Sequence, residues 1–126
     1  MFSEVDPRSP TPLYDQIASR IRIAIAAGDL VPGRSLPSVR HLASRLRVNP
    51  ATVVQAYRAL AADGFVEMRQ GSGTFVCEVG TGRKESERSA QARQLVRGLL
   101  SEAARRGLSA GDVAAAFRAE LGSEVE

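Results

Sequence analysis

Residues 36–76 read LPSVRHLASRLRVNPATVVQAYRALAADGFVEMRQGSGTFV, and the pattern within them decides the fold. Ser38 can accept the free amides at the start of a helix, and Val39, Leu42, Ala43 and Leu46 then recur at the 3, 4, 7 spacing that makes one apolar face. Arg40, Ser44, Arg45 and Arg47 fall opposite. Val48 lies in the short connection that follows. Asn49-Pro50 opens a second helix, with Asn at the N-cap and Pro at the first helical position, where a missing amide costs nothing. Its inward positions are Val53, Ala56, Tyr57 and Leu60, and Asp63-Gly64 ends it with a glycine able to take a left-handed cap. The outward set, Ala51, Thr52, Val54, Gln55, Arg58 and Ala59, offers a hydroxyl, an amide and small apolar groups where a merely solvated helix more often carries Glu and Lys.

After Gly64, Phe65–Met68 and Thr74–Cys77 are rich in strand-favouring residues and flank Arg69-Gln70-Gly71-Ser72-Gly73, a turn that glycines make possible. Alone, such a hairpin would only close a small core. Directly after two short helices joined by a tight turn it predicts a winged helix-turn-helix, mainly α with a small β-hairpin wing. In that arrangement the second helix enters the major groove, where small polar and apolar groups meet base edges and thymine methyls, and the wing tip approaches phosphates or a minor groove. The partner expected is double-stranded DNA. The residues expected at the interface are Arg40, Arg45, Asn49, Ala51, Thr52, Gln55, Arg58, Arg69, Gln70, Gly71 and Gly73.

Upstream, Met1–Thr11 is a proline-punctuated arm that predicts irregular chain, and from Leu13 the series Ile17, Ile21 and Ile25 forms an apolar stripe to pack on the helix pair. Gly28, Pro32 and Gly33 break the chain into a loop before Leu36. Downstream, residues 80–88 contain Gly80, Gly82, Arg83 and Lys84 and no apolar residue, which reads as a linker or a frayed helix start. From Ser89 to Arg106, Ala92, Leu95, Val96, Leu99, Leu100 and Ala103 return to helical spacing, and Gly107 stops that helix. Ser109 and Asp112 then start another, with Val113, Ala114, Phe117 and Leu121 on one side. The organisation expected is thus a DNA-binding domain over 1–79, a linker over 80–88 and a two-helix tail over 89–126. So short a hairpin cannot bury its own apolar faces, so Leu95, Val96, Leu99, Leu100, Ala103, Val113, Phe117 and Leu121 are expected to pair with a second copy as a homodimer. The alternative is that the tail folds back on its own winged domain.

Composition sets bounds on chemistry. The 126 residues hold one ordinary domain and a small appendage, too little for a typical enzyme cleft. The net charge is +3 and the pI about 9.7, and the excess is uneven. Residues 1–77 carry nine Arg against six acids, whereas 78–126 carry eight basic and eight acidic residues. Sixteen of the seventeen basic residues are Arg, whose forked guanidinium suits phosphate and guanine. The one Cys and the want of a membrane-length apolar run or basic-then-apolar leader predict a reduced, cytoplasmic protein away from membranes. His41 and Cys77 have no second His or Cys beside them for a zinc site, and Gly71-Ser72-Gly73 is not followed by the Lys-Ser/Thr of a nucleotide-phosphate loop. No metal, cofactor or catalytic constellation is expected.

The pattern Leu36-Pro37-Ser38-x-Arg40, Leu42-Ala43, Leu46-x-Val48, Thr52-Val53, Ala56, Leu60, Gly64 and Gly71-x-Gly73-Thr74-Phe75-Val76 resembles the DNA-binding domain of GntR-type bacterial transcription regulators, and Pro12–Gly33 is similar to that family's first helix and loop. The short two-helix tail, with Val48-Asn49-Pro50, Thr52-Val53 and Ala56-Tyr57, looks like the YtrA-type branch. The resemblance implies a dimeric repressor of a palindromic operator, in this branch often beside ABC-transporter genes. It also implies that Arg40 meets DNA, that Thr52 and Gln55 contact bases or phosphates, and that Gln70-Gly71 is the wing tip. The chain departs from the family at Pro50, where many members carry a base-reading Arg, and at His41, where Glu often completes a capping box with Ser38.

The two readings left open are this regulator and a winged-helix protein-interaction module without specific DNA binding. About forty residues follow the linker, too few to enclose a ligand. A small-molecule effector would therefore act at the dimer seam or between tail and winged domain, by changing the spacing of the recognition helices.

Overall fold

The computed structural model describes residues 5–78 and 84–125, the last four of them as backbone only. The chain divides into two compact units, Met1–Val79 and Gly80–Glu126. The first contains α1 (Leu13–Ala27), α2 (Val39–Leu46), α3 (Pro50–Ala62), β1 (Val66–Arg69) and β2 (Gly73–Val76), and the second contains α4 (Glu85–Arg105) and α5 (Ala110–Val125).

In the first unit α3 is the hub, packing against α1, α2 and β1. Its four inward residues, Val53, Ala56, Tyr57 and Leu60, are buried as the spacing predicts. Leu42, Ala43 and Leu46 of α2 meet them, with Val39 at the edge of the core, and α1 contributes Ile17, Ala18, Ile21 and Ala24. Ile25, expected in the α1 stripe, is only partly buried, and Ala24 takes the interior position in its stead. Leu30, Leu36, Val66 and Val76 close the remaining side.

Helix ends follow their side chains. Ser38 Oγ accepts from the His41 amide at 3.1 Å, so α2 is capped without the Glu of a full capping box. Asn49 Oδ1 accepts from the Ala51 amide at 2.9 Å, with Pro50 at the first position of α3. The α2–α3 turn is closed by Val48, whose amide donates to the Ala43 carbonyl at 3.0 Å while its side chain packs at the core edge. The described part of the arm is held by Gln16, whose amide group accepts from Asp6 N and donates to the carbonyls of Asp6 and Thr11, each at 2.8 Å.

The hairpin is antiparallel, with Val66 opposite Val76 and Arg69 opposite Gly73. Both strands sit one residue nearer the tip than the sequence predicts, because Arg69 and Gly73 still pair and leave only Gln70-Gly71-Ser72 to turn, with Gly71 at φ +81°. The segment expected as loop before α2 is a third edge. Leu36 N donates to Thr74 O at 2.7 Å, Val76 N to Arg34 O at 2.8 Å, and Ser35 bridges Phe75. That edge consumes the outer hydrogen-bonding groups of β2, which a two-stranded hairpin would leave open.

In the second unit α4 begins at Glu85 rather than Ser89, capped by the extended Lys84, with Glu85 and Glu87 favourably placed in the first turn. Residues 80–83 of the expected linker lie outside the described residues. Leu108 N donates to Ala103 O at 2.9 Å to end α4. Ser109 and Asp112 then form a reciprocal capping box, with Asp112 N to Ser109 Oγ at 3.0 Å and Ser109 N to Asp112 Oδ2 at 2.9 Å. The Ser109 backbone N–H, aided by its side chain, holds the Asp112 carboxyl below the usual carboxylate range.

The buried Tyr57 hydroxyl donates to Pro37 O at 2.7 Å, fastening α3 to the residue before the α2 cap. Burial pushes this phenol far above its ordinary pKa of 10.0. Tyr57→Phe is expected to cost about 1 kcal/mol, roughly 4–8 °C in Tm for a unit of this size, because the Pro37 carbonyl loses its donor. A phenol whose pKa is raised on folding favours the folded chain fully below its unfolded pKa and less above it. Stability should therefore fall above about pH 10, and this part of the fall should vanish in Tyr57→Phe when thermal melts are followed against pH.

Candidate nucleic-acid interface

Because α3 buries one face completely, its other face is fixed in direction. Ala51, Gln55 and Arg58 are exposed there, and Thr52 and Val54 are half-buried at its margins. Thr52 is thus less open than its place in the outward set suggests, its backbone held by an N–H bond to Asn49 O at 2.9 Å. Gln55 and Arg58 follow Ala51 at the 4, 7 spacing of one helical face.

The flanking charges are one-sided. From Ser38 to Ala62 the chain carries Arg40, Arg45, Arg47 and Arg58 and no Asp or Glu. All four guanidinium groups are exposed, and among the described residues no side chain pairs with Arg40, Arg45 or Arg58. Elsewhere in the unit carboxylates do find arginines, as Asp15 does with Arg22 at 3.8 Å. The helix pair therefore presents an uncompensated cationic surface of the kind that draws in a polyanion.

Asn49 serves as the α3 cap, leaving only its side-chain NH2 for an outside acceptor. Pro50 has no N–H, and Ala51 and Thr52 donate theirs to Asn49. The start of α3 is consequently poor in free amides, so anion contacts here fall to side chains rather than to the helix end.

The wing differs from expectation at one residue. Arg69 does not project freely, since its Nε donates to Glu67 Oε1 at 2.7 Å and its guanidinium lies 4.5 Å from the centroid of the Phe75 ring. The Phe75 contact braces the two strands across the hairpin, while the Glu67 bond lies along β1 and holds the guanidinium in place. Gln70 and Gly71 are exposed at the tip, and a Cβ on Gly71 would meet nothing within 4 Å. Glycine is required at 71 by its φ of +81° and not by crowding. Gly73, at φ +119°, begins β2.

Arg40, Arg45, Asn49, Ala51, Thr52, Gln55 and Arg58 thus lie on one continuous helix–turn–helix segment, and Arg69, Gln70, Gly71 and Gly73 on the hairpin. Two features escaped sequence reasoning: Arg47, read as part of a polar face but not among the interface residues, and left-handed in the turn; and the Gly33–Leu36 edge. The count of acids between Ser38 and Ala62 was the available signal for the first. Among the described residues no group of His, Cys, Asp and Glu could hold a metal ion, and no helix is long and apolar enough to cross a membrane.

Residues 13–76 match the family of bacterial regulatory proteins of the gntR family. The chain is 43% identical over 75 residues, 60% of its own length and 58% of the relative's, to the HTH-type transcriptional repressor YtrA of Bacillus subtilis. A GntR family transcriptional regulator from Listeria monocytogenes, 31% identical, superposes with a TM-score of 0.61 over 90% of this chain and 97% of that one. The DNA-binding domain of AraR in complex with an operator, 28% identical, gives a TM-score of 0.56 over 60% of this chain and 95% of that domain. The chain spans 58–60% of the length of such curated relatives as YtrA and the regulator Rv1152 of Mycobacterium tuberculosis. The relatives are regulators rather than enzymes, and the family match takes in both helices and the wing: the chain belongs to the GntR family of bacterial regulatory proteins, with the YtrA-type likeness read from its sequence.

Proposed function

We propose that the chain is a sequence-specific DNA-binding transcription regulator that works as a homodimer, repressing by occupying an operator of twofold symmetry. The observation that carries this reading is the acid-free, arginine-bearing outer surface of α2 and α3, held rigidly on a buried core. Its likeness to a repressor, and to a domain bound to an operator, supports the same partner. In this reading α3 lies in the major groove, Gln55 reads base edges, and Arg40, Arg45 and Arg58 meet phosphates. Gln70 and Gly71 approach the backbone or the minor groove, while Arg69 stiffens the wing that carries them.

Dimerisation is supported by what the tail leaves uncovered. Leu95, Val96, Leu99 and Phe117 are exposed by 76%, 50%, 49% and 60%, whereas in α4 and α5 only Ala103 is buried among the described residues. A groove of about 410 Å³ between α4 and α5 is lined by Leu99, Ala103, Leu108, Val113, Ala116 and Phe117, rimmed by Glu102, Arg106, Asp112 and Glu120. An isolated monomer rarely leaves so continuous an apolar face in water, and a copy of the same hairpin is complementary to it. Two-fold pairing also sets two recognition helices at one half-site spacing. Any small-molecule effector would act by altering that spacing.

Binding to a duplex from upstream of the chain's own gene, followed by fluorescence anisotropy, should resist nonspecific competitor and weaken as salt rises. Arg40→Ala should weaken binding alike on all sequences and make the salt slope shallower by about 1, whereas Gln55→Ala should alter preference among sequences and leave the slope unchanged. Binding lost with any competitor DNA would instead indicate an interaction module. For the dimer, Leu99→Glu should shift sedimentation from dimer to monomer and weaken operator binding at least tenfold; a wild-type monomer at micromolar concentration would refute this part.

A further inference from the structure

We propose that Arg47 is a DNA-phosphate contact, kept at a backbone position that suits glycine because its charge is needed at the start of the recognition helix. The inference rests on the DNA-binding reading above and adds a residue to it.

Arg47 caps α2 in the left-handed region, at φ +57° and ψ +48°. It is the one non-glycine residue with positive φ among the described residues, and the six others are all glycines. Among the described residues glycine thus stands wherever the backbone needs this region, except here. A side chain in that region crowds the following carbonyl, and such residues persist where the surroundings impose the conformation. The surroundings do impose it. The Arg47 amide is tied to the last carbonyls of α2, and Val48 is anchored by its amide bond to Ala43 and by its packing on the core.

Among the described residues nothing accounts for arginine at this place. Its guanidinium has no partner among the described residues, and the side chain is exposed. The groove it borders, about 470 Å³, is lined by Val5, Pro7, Leu13, Arg45, Leu46 and Val48, with no carboxylate. What the position offers is location. Arg47 stands two residues before the Asn49 cap of α3, and seven residues, two helical turns, after Arg40. The amides that a helix start would give to a phosphate are withdrawn at α3 by Pro50 and by the bonds to Asn49. A long cationic side chain at 47 restores what that end lacks.

The test is a pair of substitutions in the full chain, probed with a mixed-sequence B-form duplex that asks for phosphate contact and not for base reading. Arg47→Gly should raise Tm by about 4 °C or more, weaken duplex binding several-fold and make the salt slope shallower by about 0.9. Arg47→Lys, which keeps both the charge and the backbone constraint, should retain the wild-type slope. A rise in Tm with unchanged affinity and slope in Arg47→Gly would overturn the proposal, as would a fall in Tm, which would give the side chain a structural role. Failure of the wild-type chain to bind the duplex even at low salt would instead sink the DNA-binding reading itself.

Discussion

Everything the outer surface of α2 and α3 can do depends on how α3 is clamped. Val53, Ala56, Tyr57 and Leu60 are buried without gaps in their helical spacing, and the Tyr57 hydroxyl reaches across to the Pro37 carbonyl. The first contact fixes the rotation of α3 about its own axis, and the second fixes it against the chain that leads into α2. A recognition helix free to roll by one residue would turn Gln55 by about 100° and carry it off the outer face. The core of this small unit therefore does more than supply stability, because it sets which side chains face outward and keeps them there.

Around that clamp the chain divides its polar chemistry by place. At the helix starts side chains are turned inward to backbone: Ser38 and Asn49 each satisfy an amide of their own helix. At the wing Arg69 is turned onto Phe75 and Glu67. The arginines of the α2–α3 segment, by contrast, have no carboxylate partner among the described residues. Desolvation and pairing would neutralise a charge for binding, so an exposed and unpaired set is what long-range attraction to a phosphate backbone requires. The tail shows the opposite balance, with Glu102 bridged to both Arg105 and Arg106 at 2.8 Å and its apolar residues left open. In the proposed function, charge would serve association with DNA in one unit and uncovered apolar area association between chains in the other.

Much of this was legible in the sequence because local rules and packing agree. The inward residues of α2 and α3, the Ser38 and Asn49 caps, the glycine turn of the wing and the Ser109–Asp112 start of α5 all follow from side-chain spacing and cap chemistry that act within a few residues. What the sequence hid depends on distant partners. The Gly33–Leu36 edge exists only because β2 offers it carbonyls and amides, and nothing in four residues announces that. The engagement of Arg69 requires Phe75 from the opposite strand. The left-handed Arg47 breaks a local rule, since glycine is what that turn favours, and conflicts of this sort mark places where function overrides propensity. The early start of α4 at Glu85 came from polar residues whose helical preference carries no apolar stripe to betray it.

The most direct test of the account is a map of backbone amide chemical shifts as the chain is titrated with a duplex it binds. The largest changes should fall on Arg40, on Arg45 through Arg58 and on Gln70 through Gly73, with the buried α1 amides of Ile17 and Ile21 little moved. Changes concentrated on α1 or on the tail, with the α3 amides undisturbed, would contradict it.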